Sequence, residues 1–356
     1  MKNEILFVYD TKYNLVGQVD CYKSLIWTTR YYTYGDFELT ITLPSNHARF
    51  LKTDYYILRK VDNYAMIIES VEYKSDGEGA DTLIVKGRSL LSICERRIIW
   101  KLLQRADYKP SSAIALIVSE NFAPTTEDAT YNTASRKVPG FKVTNSYSNA
   151  DTGSIKLATS WGDNVLDKIT EIAKEHQLGM KITLNISAEY PLVFNVYMGS
   201  GTNCIFSEAL GNIKSCNFKT DKTKYKNVCI VAGGGETEGV NRWSQDSWQG
   251  STEPTGLNRR ECYKDASSVT ANDIQYSYRD YLFAQGKKEL TNHRLQKSFE
   301  CENTPNTQFV FRKDYKIGDK AQVFDKYGNK AGVRITEVIE SWSETGYTCI
   351  PTFEEY

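Results

Sequence analysis

The sharpest hydrophobic alternation in the chain lies at residues 35–44, where Phe37, Leu39, Ile41 and Leu43 fall on one face and Glu38, Thr40 and Thr42 on the other. A period of two predicts a half-buried strand, and Pro44 ends it because it brings no amide hydrogen to a ladder. The apolar run Ile5–Tyr9 predicts a strand before it. Tyr55–Lys60, Ala65–Lys74 and Thr82–Gly87 predict three after it, separated by the turn-forming clusters Asp62-Asn63 and Ser75–Gly79. Residues 1 to about 90 therefore read as an antiparallel β-domain.

The period then lengthens. Ser89–Arg97 carries Leu90, Leu91, Ile93 and Cys94 on one side, with Arg96-Arg97 suited to a helix C-terminus, and Ser111–Ser119 predicts a second helix. Val165, Leu166, Ile169, Ile172 and Ala173 predict a third, with Ser160 as its N-cap, Asp163 three residues on, and Gly179 closing it. Strands at Met180–Ile186 and Leu192–Tyr197 follow, so residues 100–200 read as an α+β unit. Between 122 and 160 the pattern dissolves into Thr, Asn, Ser, Pro and Gly, which predicts a long surface excursion or irregular hairpin.

Strand patterns return at Asn203–Phe206, Ile213–Lys219 and Tyr225–Ala232, before a polar excursion from Glu236 to Asn258. Between Asn272 and Leu295, the stripe Ile274, Tyr278, Leu282, Gly286 and Leu290 predicts a helix lying on a sheet. Gln308–Arg312, Lys320–Phe324, Ala331–Glu340 and Gly346–Phe353 predict the short strands of a small closed or nearly closed barrel. The organisation is two β-domains flanking an α+β unit, a gross internal symmetry without a short tandem repeat.

Composition agrees with this and removes several functions. Twenty-four Tyr, 14 Phe and 6 Trp against 8 Pro favour pleated, half-buried surfaces. At 40% hydrophobic and 25% charged, with no run long enough to span a bilayer, the chain reads as folded and soluble, without membrane insertion. Forty-four Lys+Arg balance 44 Asp+Glu, so nucleic-acid binding as the main task is disfavoured. The N-terminus is too short and too acidic for a signal peptide. Eight cysteines, at 21, 94, 204, 216, 229, 262, 301 and 349, form no CxxC pair and have no histidine at zinc-finger spacing. They read as buried free thiols of a chain that folds in a reducing cytosol.

Candidate chemistry is sparse. His47 follows the Pro44 turn, and His176 and His293 sit near helix ends, where a histidine complements the macrodipole without catalysis. HExxH and GxSxG are both absent. Gly233-Gly234-Gly235 follows a strand, but Glu236 and Glu238 come next where a phosphate loop needs Lys and Ser or Thr, so a flexible strand exit is the better reading. The carboxylate pairs Glu300/Glu302 and Glu354/Glu355 carry no specific glycosidase signal. No metal site, cofactor or catalytic residue is assigned. Trp243 and Trp248, beside Arg242 and Gln245, read as interface residues first and as a sugar platform second. The cluster Trp27–Gly35, with Trp27, Arg30, Tyr31 and Tyr34, reads as an assembly surface first and as the closed end of a barrel second.

These residues resemble a known family. Trp27-Thr28, Arg30-Tyr31, Gly35–Leu39, Val85–Ser92 with Arg88, and Arg96-Arg97-Ile98 are similar to the tail-tip hub proteins of siphophages. So are Tyr225–Val228 leading to Val231–Gly235, Arg259-Arg260-Glu261, Ile317-Gly318-Asp319, Arg334–Val338 and Pro351–Phe353, while Gly199–Asn203 is less charged than the family's pattern. The resemblance spans nearly the whole chain and implies a β-rich α+β fold related to contractile-phage hubs and type VI secretion spike hubs. Two similar, tube-docking, β-barrel-like domains (1–98 and 203–356, the second with a long helix and small C-terminal barrel) would flank an α+β insertion domain (99–202).

The implied function is non-enzymatic: a homotrimer forming a pseudo-sixfold ring between the hexameric tail tube and the tip or spike, in the virion. Its implied partners are the tube or distal tail protein, the spike or tip protein and the tape measure protein, with DNA passing through the lumen unbound. Assembly in the bacterial host cytoplasm is expected, and no cell-wall-cleaving domain after Tyr356. The assembly interface would use Trp27, Arg30, Tyr31, Tyr34, Arg88, Trp243 and Trp248. The alternative function is a cell-wall hydrolase, or a carbohydrate- or receptor-binding tail protein using the Trp243 loop.

Overall fold

The fold was analysed on a computed structural model, which describes residues 4–59, 61–75, 77, 80–234, 244–271, 277–303 and 308–355. The N-terminal segment forms seven strands: β1 (Leu6–Tyr9), β2 (Leu15–Val19), β3 (Ser24–Arg30), β4 (Asp36–Thr42), β5 (Tyr56–Arg59), β6 (Met66–Lys74) and β7 (Thr82–Ser89). The alternation read at 35–44 is the core face of β4, since Phe37, Leu39 and Ile41 are buried against Leu25, Trp27, Met66, Leu83 and Val85. Pattern alone missed β3, because four of its seven residues are buried and their phase is broken. Gly35 lets the chain turn tightly out of β3: a Cβ there would lie 1.9 Å from the Thr28 carbonyl oxygen.

The middle of the chain opens with the short helix expected there, Leu90–Arg96, which is of the 3₁₀ type. Then come β8 (Gln104–Tyr108), α1 (Pro110–Phe122), α2 (Thr133–Arg136), β9 (Phe141–Asn145), β10 (Ile155–Ala158), α3 (Val165–Glu175), β11 (Gly179–Leu184) and β12 (Leu192–Tyr197). Residues 122–160 lie largely at the surface, but short elements tie them into the fold and they do not form a hairpin of their own. The Val138 amide donates to the Phe122 carbonyl at 2.8 Å, Phe141 stacks on Phe122 at 5.3 Å, β9 runs parallel to β12, and β10 pairs with β8. Their strands are too short and too half-buried to show a period.

Two features of α3 also differ from expectation. Ser160 does not cap it, because 159–165 lie along 97–103 through backbone hydrogen bonds and turn at Gly162. The cap is Asn164, whose side-chain oxygen accepts from the Leu166 and Asp167 amides at 2.9 and 3.4 Å. The left-handed residue beyond its end is Gln177, at φ 56°, rather than Gly179.

The C-terminal part contributes β13 (Gly201–Ser207), β14 (Ile213–Asp221), β15 (Val228–Gly233), β16 (Ser244–Trp248), β17 (Glu261–Ala266), α4 (Tyr278–Asn292), β18 (Gln296–Asn303), β19 (Lys320–Phe324), β20 (Lys330–Ser343) and β21 (Gly346–Glu355). The predicted strand at 308–312 is instead a tight turn, with Arg312 at φ 70° and its amide on the Tyr315 carbonyl at 2.7 Å. As expected, α4 lies on a sheet, the small β16-β15-β17 layer. Gly286 permits the approach, for a Cβ would meet Ser247 Oγ at 2.3 Å.

The two β-rich ends of the chain are hydrogen-bonded into one thirteen-stranded sheet, ordered β14-β18-β21-β20-β3-β4-β7-β6-β5-β1-β2, with β19 beside β20 and β13 beside β19. The seam is the antiparallel pair β3–β20, in which Arg30 faces Glu337 and Trp27 faces Glu340. Separate cores lie under the N-terminal strands, the middle segment, the C-terminal strands and α4.

Candidate assembly surface

Of the residues singled out in the sequence, Trp27 and Tyr31 are fully buried, which corrects their reading as surface groups. Trp27 lies under the Arg59 guanidinium, 4.5 Å from its ring centroid. The Tyr31 hydroxyl donates to the Gln177 carbonyl and accepts from the Gly199 amide, both at 3.1 Å. Its ring sits 5.3 Å from the Arg334 guanidinium, which donates to the Gly318 carbonyl at 2.6 Å and to Gln177 Oε1 at 3.2 Å. Tyr31 thus ties β3, the middle segment and the C-terminal strands together. Gly318, at φ 89°, is required there, because a Cβ would strike the Tyr31 ring at 2.2 Å.

The seam also buries charge. Glu340 is 1% exposed and accepts from Arg59 and Arg312 Nη1 at 2.8 Å each, from Arg312 Nη2, and from the Tyr347 hydroxyl at 2.9 Å. Asp62 completes the group, 2.9 Å from Arg59 and 3.0 Å from Arg312. Burial favours the neutral acid, but the Arg312 hydrogen bond and the two guanidinium charges outweigh it and hold the Glu340 carboxyl at about 2. The same burial, with Glu340 beside it, pushes the Tyr347 hydroxyl up. Periodicity could not reveal this network, because its members are far apart in sequence.

Arg30, Tyr34 and Arg88 do come together at the surface. Arg30 binds Glu337 at 2.5 Å, Asp36, and the Tyr34 carbonyl at 3.3 Å. Arg88 lies 4.7 Å from the Tyr34 ring centroid and binds Glu69 at 2.6 Å and Glu95 at 2.5 Å. The Arg88 guanidinium is held further toward its charged form, chiefly by the Glu69 hydrogen bond. Trp248 is remote from them, half-buried at the join of β16 and α4 with its ring edge-on to Phe283 at 5.9 Å. Trp243 lies outside the described residues.

The exposed aromatic face is elsewhere. Residues 98–103 are extended along 159–164, with Ile99 and Leu103 pointing into the core and Ile98, Trp100 and Leu102 pointing out, 55%, 37% and 50% exposed. Trp161 is 74% exposed in the adjoining turn, and Trp100 meets Tyr131 edge-on at 6.3 Å. Arg136 braces the strip by donating to the Ile98 carbonyl at 2.8 Å; burial, then the charge of nearby Arg97, lowers its pKa. The sequence signal for this face is that 98–103 is apolar in both phases but for Lys101, a pattern that fits burial on two sides.

A cleft of about 950 Å³ between α3, the end of α4 and β20–β21 mixes Lys174, Lys219, Arg294 and Arg334 with Asp167, Glu171 and Glu354. Burial pushes the Glu354 carboxyl up there. No three His, Cys, Asp or Glu residues gather to hold a metal among the described residues, and the histidines lie apart.

In overall fold the chain is similar to the tail protein from Neisseria meningitidis MC58, with a TM-score of 0.58 over 99% of this chain and 97% of that one at 14% identity. It is similar to the 43 kDa tail protein of prophage MuSo2 from Shewanella oneidensis, with a TM-score of 0.61 over 98% of both chains at 13% identity. A chain of the Francisella PdpA-VgrG complex matches with a TM-score of 0.53, over 100% of this chain and 58% of that one, at 10% identity. No curated protein matches the sequence. The family model that does match covers residues 5–353, and the chain belongs to that family, the Siphovirus ReqiPepy6 Gp37-like proteins.

Proposed function

We propose that the chain is a structural, non-enzymatic hub of a phage tail tip or baseplate, three copies of which form a pseudo-sixfold ring between the hexameric tail tube and the tip or spike. The observation that carries this reading is that the likeness to tail proteins runs through both β-rich ends and the middle segment, over 97–98% of those chains. A ring of three chains with two comparable β-domains each, at 1–98 and 203–356 around an insertion at 99–202, matches a sixfold tube while offering a threefold platform. The likeness to a chain of a VgrG complex supports a spike or tip as the partner on the other side. In this reading the tape measure protein and DNA pass through the lumen without specific binding, and the ring is assembled in the host cytoplasm before it becomes part of the virion.

A hub is made mostly of contacts between chains, and the strip Ile98, Trp100, Leu102 and Trp161 supports that role, because aromatic side chains exposed at a rigid face are what such contacts use. Mass photometry of the purified chain tests the proposal: three chains of 40.5 kDa each are expected, and rings capping tail tubes by electron microscopy. A persistent monomer that leaves tubes uncapped overturns it.

A further inference from the structure

Cys229 and Cys262 occupy directly paired positions on the neighbouring parallel strands β15 and β17. Neighbouring strands run about 4.8 Å apart, inside the roughly 4.4–6.8 Å range over which a disulfide spans two Cα atoms, and paired residues point to the same face. Both thiols are free, and the paired register sets them side by side on the two strands. Each also contacts a carbonyl of its own sheet, Cys262 Sγ that of Val228 at 3.5 Å and Cys229 Sγ that of Ile230 at 3.9 Å. Cys229 is fully buried in the core beneath α4, whereas Cys262 is half-buried at its margin. The backbone register sets a second pair, Cys216 and Cys301, opposite each other on β14 and β18.

We propose that Cys229 and Cys262 form a cross-strand redox pair, carried as two thiols through folding and closed to a disulfide when a small-molecule disulfide reaches it. The thiolate of Cys262, the solvent-accessible partner, attacks a sulfur of the small disulfide, forming a mixed disulfide and releasing one small thiol. Cys229 then gives up its proton and attacks the Cys262 sulfur, expelling the second. Two protein thiols are oxidised, one small disulfide is reduced to two thiols, and the new bond lies within one chain. Burial, with the neighbouring sulfur, pushes the Cys229 thiol up to about 12, and burial raises that of Cys262 as well. Both therefore hold less thiolate near neutral pH than an ordinary cysteine, which slows their oxidation. The setting rests on the virion reading, in which a protein made in a reducing cytoplasm later meets an oxidising medium. The chemistry itself does not depend on it.

The test uses the full chain, purified in reductant and then incubated with oxidised glutathione between pH 7 and 9. Samples are quenched with N-ethylmaleimide and digested with trypsin. The expected product is peptide 227–242 bonded to peptide 261–264, with an initial rate rising about tenfold per pH unit as thiolate becomes available. A single cut between residues 229 and 262 would then leave the fragments joined on a non-reducing gel. Cys262→Ala abolishes the linked peptide and keeps the unfolding midpoint of the reduced wild type. The wild-type peptide map alone decides the question should the variant fail to fold. The proposal is overturned if both cysteines remain alkylated on separate peptides, if Cys262 stops at a glutathione adduct, or if either residue bonds to another cysteine. Mass photometry of the same samples keeps the two proposals separate: a closed pair in a persistent monomer refutes the hub and supports the redox pair.

Discussion

Glu340→Gln isolates the charge at the centre of the β3–β20 seam, since it keeps the side chain's shape and one acceptor oxygen but removes the carboxylate. In the wild type that carboxylate faces two guanidinium groups and a tyrosine hydroxyl with almost no access to water. Its pKa falls from 4.5 to about 2. At ~1.4 kcal/mol per pH unit, that drop corresponds to about 3 kcal/mol of stability. Leaving the buried Arg59 and the half-buried Arg312 with only Asp62 to balance them brings the expected loss at pH 7 to about 3–5 kcal/mol. The folded pKa lies below the unfolded one, so the contribution is complete above pH 4.5 and fades as pH falls toward 2. Urea unfolding of both proteins, followed by tryptophan fluorescence, reads this directly, because Trp27 and Trp342 flank Arg59. The gap between them should be wide at pH 7 and should close between pH 4.5 and 2. A variant within ~0.5 kcal/mol of the wild type at pH 7, or a gap unchanged at pH 2, would refute the reasoning.

Four further substitutions probe the same geometry. Trp161→Ala should leave monomer stability within ~0.5 kcal/mol while weakening the proposed trimer in mass photometry, whereas Trp27→Ala should cost about 3–5 kcal/mol in urea unfolding. Tyr31→Phe removes a hydroxyl that both donates and accepts, leaving the Gly199 amide without it; a loss of about 1–3 kcal/mol and faster hydrogen exchange at Gly199 are expected. Asn164→Ala strips the cap of α3 and should lower stability by ~1 kcal/mol, read from the urea midpoint.

What the sequence disclosed follows from what each element buries and against what. β4 was legible because one face is buried and the other is not, and α3 because its apolar stripe meets one core. β3 was not, because it is a central strand whose apolar residues break phase, and Trp27 in it and Tyr31 just after it looked like surface aromatics until β20 and the middle segment covered them. β9 and β10 were hidden by their length, since four or five residues give too few turns of any period, and their partners β12 and β8 are distant in sequence. Arg30 and Tyr34 were found by residue type and Arg88 through the family resemblance, and the three share one surface. The exposed strip at 98–102 and Trp161 went unnoticed because an apolar residue reads as core until the structure shows that no core is behind it.

The seam shows why charge is buried at all in a sheet this wide. A sheet of apolar strands specifies its register weakly where neighbours are interchangeable, and a slip of one residue turns every side chain to the opposite face. Along β3–β20 that slip would set Arg30 against Thr336 or Val338 in place of Glu337, and would turn Glu340 away from Arg59. The buried Arg59 and half-buried Arg312 guanidinium groups would then share one carboxylate, that of Asp62, a penalty of several kcal/mol concentrated at a single register error. An apolar replacement of the whole network would keep much of the stability and lose that discrimination. The ion pairs at 30–337 and 59–340 therefore act as register marks for joining chain segments some three hundred residues apart, which local sequence cannot align.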